Sequence, residues 1–184
     1  MSADLARPRL CVSKCLGFAA CRWNGTAVQD DFVENLKGYV DFVAVCPEAE
    51  IGLGVPRAPI RIVRKQGSAV RLVQPATGRD VSGKMKAFAK KFLASLDKVD
   101  GFILKNRSPS CGLGNVKVYP SARSSASVAR THGFFGAEVV ERFAGLPIET
   151  EASLTNCRIR ERFLVRIFIL AALRRIKKKG GRIL

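Results

Sequence analysis

Three cysteines of this chain each follow a strand-like apolar run. Cys15 follows Arg9-Leu-Cys-Val-Ser13, Cys46 follows Val40-Asp-Phe-Val-Ala-Val45, and Cys111 lies in the loop after Gly101-Phe-Ile-Leu-Lys105. In an open α/β sheet the carboxyl ends of the strands form one rim, and ligands bind in the crevice outside it. Residues far apart in sequence converge there, so three thiols on that rim imply a metal centre with one position left open. Thiolates are soft donors suited to iron–sulfur clusters. Three of them on a cubane leave one iron without a protein ligand, able to act as a Lewis acid toward a substrate atom.

The neighbours of these thiols carry further chemistry. Glu48, in Cys46-Pro-Glu48, reads either as an exposed acid or, if it faces the same rim, as a general base. Ser108 and Ser110 flank Pro109 just ahead of Cys111, and either hold that turn or donate hydrogen bonds to a substrate. Cys11 lies inside its strand and reads as a small buried hydrophobe, and Cys157 receives the same reading. The Cys11-x3-Cys15 pair is not followed by Cys-x2-Cys elements or a histidine-rich finger spacing, which argues against a zinc ribbon. Gly52-Leu-Gly-Val-Pro-Arg57 lacks the spacing of a P-loop or dinucleotide fingerprint, so a nucleotide cofactor is not supported. His132, the only histidine, reads as a surface or helix-end residue.

The elements that must position these residues alternate between two periodicities. Strand patterns cover residues 10–12, 39–45 and 101–104, and residues 60–63 and 70–73 form a hairpin or two short strands beside the main sheet. Helical spacing covers Val28 to Leu36, Gly83 to Leu96 and Glu138 to Phe143. In the second of these, Met85, Phe88, Phe92 and Leu96 share a face. Strands alternating with helices predict an α/β fold, a mainly parallel, Rossmann-like sheet flanked by helices. Residues 158–179 then predict a basic amphipathic helix with Ile159, Phe163, Ile167, Leu170 and Leu173 on one side.

Composition bounds the rest. The 184 residues are 47% hydrophobic, which suits one globular domain of ordinary size. The formal charge is +17, and from Arg158 onward ten Lys or Arg face one Glu, so that segment carries +9 of it. Such a charge favours polyanions, without choosing among RNA, DNA and an acidic membrane. No apolar run reaches the length of a membrane span. The opening Met-Ser-Ala-Asp-Leu-Ala-Arg-Pro has neither the basic start nor the apolar run of a secretory signal, so the expected location is cytoplasmic. Thiols are reduced there, and the six cysteines read as buried, metal-bound or catalytic rather than as disulfides.

Four blocks in order, Val12-Ser-Lys-Cys-Leu-Gly17, Cys21-Arg-Trp-Asn-Gly25, Val45-Cys-Pro-Glu-Ala-Glu-Ile-Gly-Leu-Gly-Val-Pro-Arg57 and Lys105-x-Arg-Ser-Pro-Ser-Cys-Gly112, resemble the TudS-type thiouracil desulfidases. The resemblance runs from about residue 8 to about residue 150, and implies a desulfidase domain over 8–150 with a basic helical extension over 151–184. It further implies a 4Fe-4S cluster held by Cys15, Cys46 and Cys111, whose free iron takes the sulfur of a thiolated pyrimidine while water attacks the ring carbon. The family's catalytic carboxylate and serine fall on Glu48 and on Ser108, with Ser110 beside it. Trp23-Asn-Gly25 stands where the family commonly has an aromatic residue, Asp and Gly, so no role for that acid carries over. The tail resembles the segment leading into the second domain of RudS-type enzymes, which desulfurise 4-thiouridine in tRNA. Contact of the basic tail with tRNA or another RNA is therefore an expectation. The competing expectation is a basic RNA-binding module whose cysteines hold a structural metal.

Overall fold

The structure, a computed structural model, describes residues 6–180, with side chains through residue 177. Its main sheet contains four strands in the order β2 (Asp41–Val45), β1 (Arg9–Ser13), β6 (Gly101–Leu104), β9 (Ile148–Thr150), all parallel. A central parallel strand is covered on both faces, and β1 shows the consequence. Leu10 and Val12 point into one apolar cluster, Cys11 into the other, and none of the three is exposed. In β6, Ile103 joins the first cluster while Phe102 and Leu104 join the second.

The second cluster is closed by α3 (Ser82–Ser95) and α4 (Phe134–Arg142). The buried stripe of α3 is Met85, Ala89 and Leu93, with Phe88 and Phe92 stacked at its edge, 5.5 Å between ring centroids. The expected face, centred on the phenylalanines, is thus rotated: the small Ala89 lets the helix approach, and the two rings pack sideways toward Phe135 of α4. The first cluster is closed by α1 (Asp31–Leu36) and α5 (Cys157–Gly180). Phe163, Ile167 and Ala171 of α5 are fully buried. A Cβ on Gly101 would stand 3.1 Å from Ile167 Cγ2, so α5 crosses β6 where only glycine leaves room. Arg174 fastens the same helix, donating from Nη2 and Nε to the buried Asp100 carboxylate at 2.7 and 3.2 Å.

Several expectations need correction. The first helix begins at Asp31, not Val28, because Asp30 caps it by accepting from Val33 N at 2.9 Å, while Val28 forms a parallel bridge with Leu16. Helix α4 begins a turn earlier than Glu138, at Phe134. Leu173 is exposed, since α5 runs past the edge of the core it covers. Cys157, at the first position of α5, is exposed rather than buried. The strands β3 (Arg61–Val63) and β4 (Arg71–Gln74) do pair antiparallel, but they belong to a second, mixed sheet ordered β5 (Arg79–Asp80), β4, β3, β7 (Val116–Tyr119), β8 (Ala129–Thr131). Among the described residues no helix is long and apolar enough to cross a membrane.

Candidate active site

The chain leaves β1 toward β2 on one side and returns as β6 on the other, so the carboxyl ends of β1 and β6 border the crevice of a topological switch point. A cavity of about 380 Å³ opens there. Cys15, Cys46, Cys111, Glu48, Ser108 and Ser110 all line it. Every candidate site residue named from the sequence is therefore in one place, and all three thiols are buried.

Each arrives differently. Cys15 follows β1 in a turn whose carbonyl accepts from Val28 N at 2.8 Å. Cys46 terminates β2 and caps α2 (Pro47–Glu50), where Pro47 opens the helix without needing a donor. Cys111 sits in the long loop after β6, which is locked against the start of α4. Phe135 N and Gly136 N both donate to Ser110 O, at 2.8 and 3.0 Å. A Cβ on Gly136 would stand 2.7 Å from Cys111 O, so the close approach requires glycine.

The polar side chains form one directed network. Ser108 Oγ accepts from Ser110 N at 3.2 Å and Cys111 N at 3.1 Å, which fills both of its lone pairs. Its own hydrogen is thereby directed to Ser110 Oγ at 2.9 Å, and Ser110 Oγ donates to Glu48 Oε1 at 2.7 Å. The other carboxylate oxygen, Oε2, accepts from Arg57 Nε at 2.8 Å. The two charged side chains are only 3% and 11% exposed, the arginine being the more buried. A buried ion pair holds only when its remaining valences are met. Here Arg57 Nη1 also donates to the carbonyls of Cys21 and Gly54, at 3.0 and 2.9 Å.

Burial pushes the Cys15 thiol up to about 11, with the adjacent Cys46 adding to the effect and Lys105 opposing it. Burial also raises Cys111, against a hydrogen bond with Ser13. Without a metal these thiols hold their protons, so a metal that binds them must displace those protons.

Residues 10–151 match the 2-thiouracil desulfurase family over most of the chain's length. The chain belongs to that family. YbbK of Bacillus subtilis strain 168, an uncharacterized protein, is 35% identical over 109 residues, which are 56% of this chain and 72% of YbbK. Among solved structures, the 4Fe-4S-dependent thiouracil desulfidase TudS is similar, with a TM-score of 0.62 and 27% identity, over 81% of this chain and 94% of that one. The α/β fold read from the sequence is thus the fold of that enzyme.

Two further residues of the cavity, Arg57 and Cys21, are not singled out by the sequence. Arg57 was visible only as the end of a glycine-rich block, and nothing in its spacing shows that the loop folds back onto Glu48. Cys21 lines the same cavity, with its carbonyl 3.6 Å from Cys46 Sγ, and its thiol is pushed up to about 12, first by burial and then by Cys46. Asn24 is exposed, and its side chain folds onto its own turn, accepting from Thr26 Oγ1 at 2.8 Å. Cys11 behaves as expected, fully buried, with its thiol raised to about 12 by that burial.

Proposed function

We propose that this chain is an iron–sulfur-dependent desulfidase that removes sulfur from a thiolated pyrimidine, either free thiouracil or 4-thiouridine in tRNA, and releases uracil or uridine and sulfide. The observation that carries this reading is the lining of one cavity by four buried thiols, Cys21 beside the three candidate ligands, together with an ion-paired carboxylate and two serines.

Cys15, Cys46 and Cys111 would hold a 4Fe-4S cluster, and the donor set fits it. A cubane places each thiolate on a different iron, so its ligands line a cavity instead of meeting around one point. Among the described residues, no three His, Cys, Asp or Glu are arranged to hold a single metal ion. The chemistry such a cluster supplies when bound is Lewis acidity at the iron that has no protein thiolate, where a thiocarbonyl sulfur would bind. The likeness to TudS supports the same cofactor.

The overall reaction is a hydrolysis. A C–O bond forms between water and the ring carbon, the C–S bond breaks, and its electron pair leaves with sulfur, so no oxidant or reductant is consumed. In this reading Glu48 accepts the proton of the attacking water. Arg57 and Ser110 fix the carboxylate from two sides, so that its free lone pairs face the cavity. Ser108, partly exposed at the wall, positions the substrate, and its hydrogen-bonded chain to Glu48 gives a proton a route between the two. Exposed cations of α5 would attract RNA, although Arg174 is held by Asp100 and Arg166 donates to Gly145 O.

Anaerobic incubation of the iron-loaded protein with 2-thiouracil or 4-thiouracil tests the proposal. Sulfide and uracil in equal amounts are expected. Protein purified with zinc in place of iron, and inert toward both bases, would favour the RNA-binding alternative.

A further inference from the structure

We propose that Trp23 is a specificity-determining residue of this site: its indole stacks on the flat face of the pyrimidine ring and holds the sulfur-bearing carbon in reach of Glu48. The inference rests on the desulfidase reading for the identity of the ring, and on the placement of the indole for the contact itself.

Trp23, the only tryptophan of the chain, lines the same cavity as Glu48, Ser108 and Ser110, yet it is 48% exposed. Among the described residues it is the only aromatic side chain of that lining, and no other ring or cation lies over its face. An indole stabilises a fold by the large area it buries, so one left half in water at a cavity adds little to the core. Its backbone is nonetheless held. Arg22 N donates to Thr26 O at 3.1 Å and Gly25 N to Arg22 O at 2.9 Å, closing a turn in which Gly25 takes a φ of 74°. Thr26 N donates to Asn24 Oδ1 at 3.3 Å. Trp23 O itself accepts from Arg57 N at 2.8 Å, and the Arg57 side chain is the one that grips Glu48 Oε2. Indole and carboxylate are thus placed relative to one another through a single residue.

The polar groups of the cavity suit only part of a pyrimidine. Hydroxyls and a carboxylate meet the N–H and C=O groups that lie in the plane of the ring, and leave its two faces without a partner. A face calls for a flat, polarisable surface, and stacking on an aromatic side chain supplies one for any base. The two kinds of contact divide the work of orientation. Stacking sets the tilt of the ring, in-plane hydrogen bonds set its rotation, and together they keep the reacting carbon at one distance from the group that activates water. A ring that has lost its planarity offers the same edge but no such face, so the indole selects unsaturated pyrimidines over their saturated counterparts.

Equilibrium dialysis of the iron-loaded full chain against uracil and dihydrouracil tests the inference. The two carry the same N–H and C=O groups, but saturation of the ring C=C bond leaves dihydrouracil puckered and without a full π face. Neither contains sulfur, so no turnover intervenes. The native chain is expected to bind uracil at least about fivefold more tightly, the lower end of base–aromatic stacking. Trp23→Ala and Trp23→Leu should both lose that preference, with uracil falling to the level of dihydrouracil, whereas Trp23→Phe should keep most of it. Damage to the fold does not imitate this pattern, because it weakens both ligands together, and the leucine variant keeps an apolar side chain at the position. Equal binding of the two ligands by the native chain, or a preference that survives in either the alanine or the leucine variant, overturns the assignment. The failures are separable: a uracil preference that depends on Trp23, without sulfide release from thiouracil, would sink the desulfidase reading alone. Sulfide release by a chain that binds uracil and dihydrouracil alike would sink only the stacking role.

Discussion

Replacing Glu48 by Gln keeps the volume of the side chain and removes its charge. The amide has one acceptor where the carboxylate has two, and Ser110 Oγ and Arg57 Nε both donate to that carboxylate, at 2.7 and 2.8 Å. If the amide oxygen faces Arg57, its NH2 faces Ser110. Ser110 cannot then pass its hydrogen to Ser108, whose lone pairs already accept from two backbone N–H groups. The Ser110 hydroxyl is left with only the weak acceptor Cys111 Sγ, at 3.8 Å, and the Arg57 guanidinium is left buried without its counter-charge. Breaking a buried pair costs about 3–5 kcal/mol, and the lower figure applies because two carbonyls still accept from Arg57. For a chain of this size about 3 kcal/mol lowers Tm by roughly 6–12 °C. Turnover, measured well below the melting range, should fall by about 100-fold or more, the scale of a lost general base. Iron content should be unchanged, because Glu48 touches no metal in this account. The assays are a thermal melt, iron quantitation and sulfide release on the same preparation. A variant with normal turnover would refute the role of the carboxylate, and one with an unshifted Tm would refute the energetic argument for the ion pair.

The remaining predictions address the thiols, the tail and pH. Single changes of Cys15, Cys46 or Cys111 to Ser should abolish most iron binding after anaerobic reconstitution, since a hydroxyl is a hard and poor substitute for thiolate, whereas Cys157→Ser should retain it. Removing residues 158–184 takes Phe163, Ile167 and Ala171 out of the core, and burial losses of about 2–5 kcal/mol for each of the two larger side chains approach the whole stability of a domain. The truncated chain should therefore show no cooperative melt; a sharp transition near that of the full chain would contradict the packing. Cys11 is raised from 9.0 to about 12 in the folded chain, so between those values the unfolded chain has lost a proton that the folded chain keeps. Stability from this thiol is complete below pH 9 and declines as pH rises, by about 1.4 kcal/mol per unit. Cys11→Ala should be less stable at neutral pH yet show a shallower decline above pH 9 in denaturant titrations.

Local signals served where one element decides its own form. The apolar run of residues 101–104 is β6 as read, because a strand buried on both faces needs no partner to be visible. The strands β7, β8 and β9 have four, three and three residues, too few to show a period, and their pairing depends on partners far along the chain. For the same reason the hairpin's membership in a second sheet was hidden, since β3 is extended by β7 and not by anything nearby. Within the site the thiols were legible because cysteine is chemically distinctive and each follows a strand. Arg57 was not, since arginine is abundant in this chain and its meeting with Glu48 is set by how one loop folds. Leu173 carries the right helical phase, but periodicity does not reveal where the core beneath a helix ends.

The most direct measurement is Mössbauer spectroscopy of the iron-loaded protein before and after anaerobic addition of thiouracil. With Cys15, Cys46 and Cys111 as the ligands, one iron should differ from the other three, and the base should change the signal of that iron alone. A spectrum unaltered by thiouracil, or four irons that respond alike, would contradict an open iron as the site where the substrate's sulfur binds.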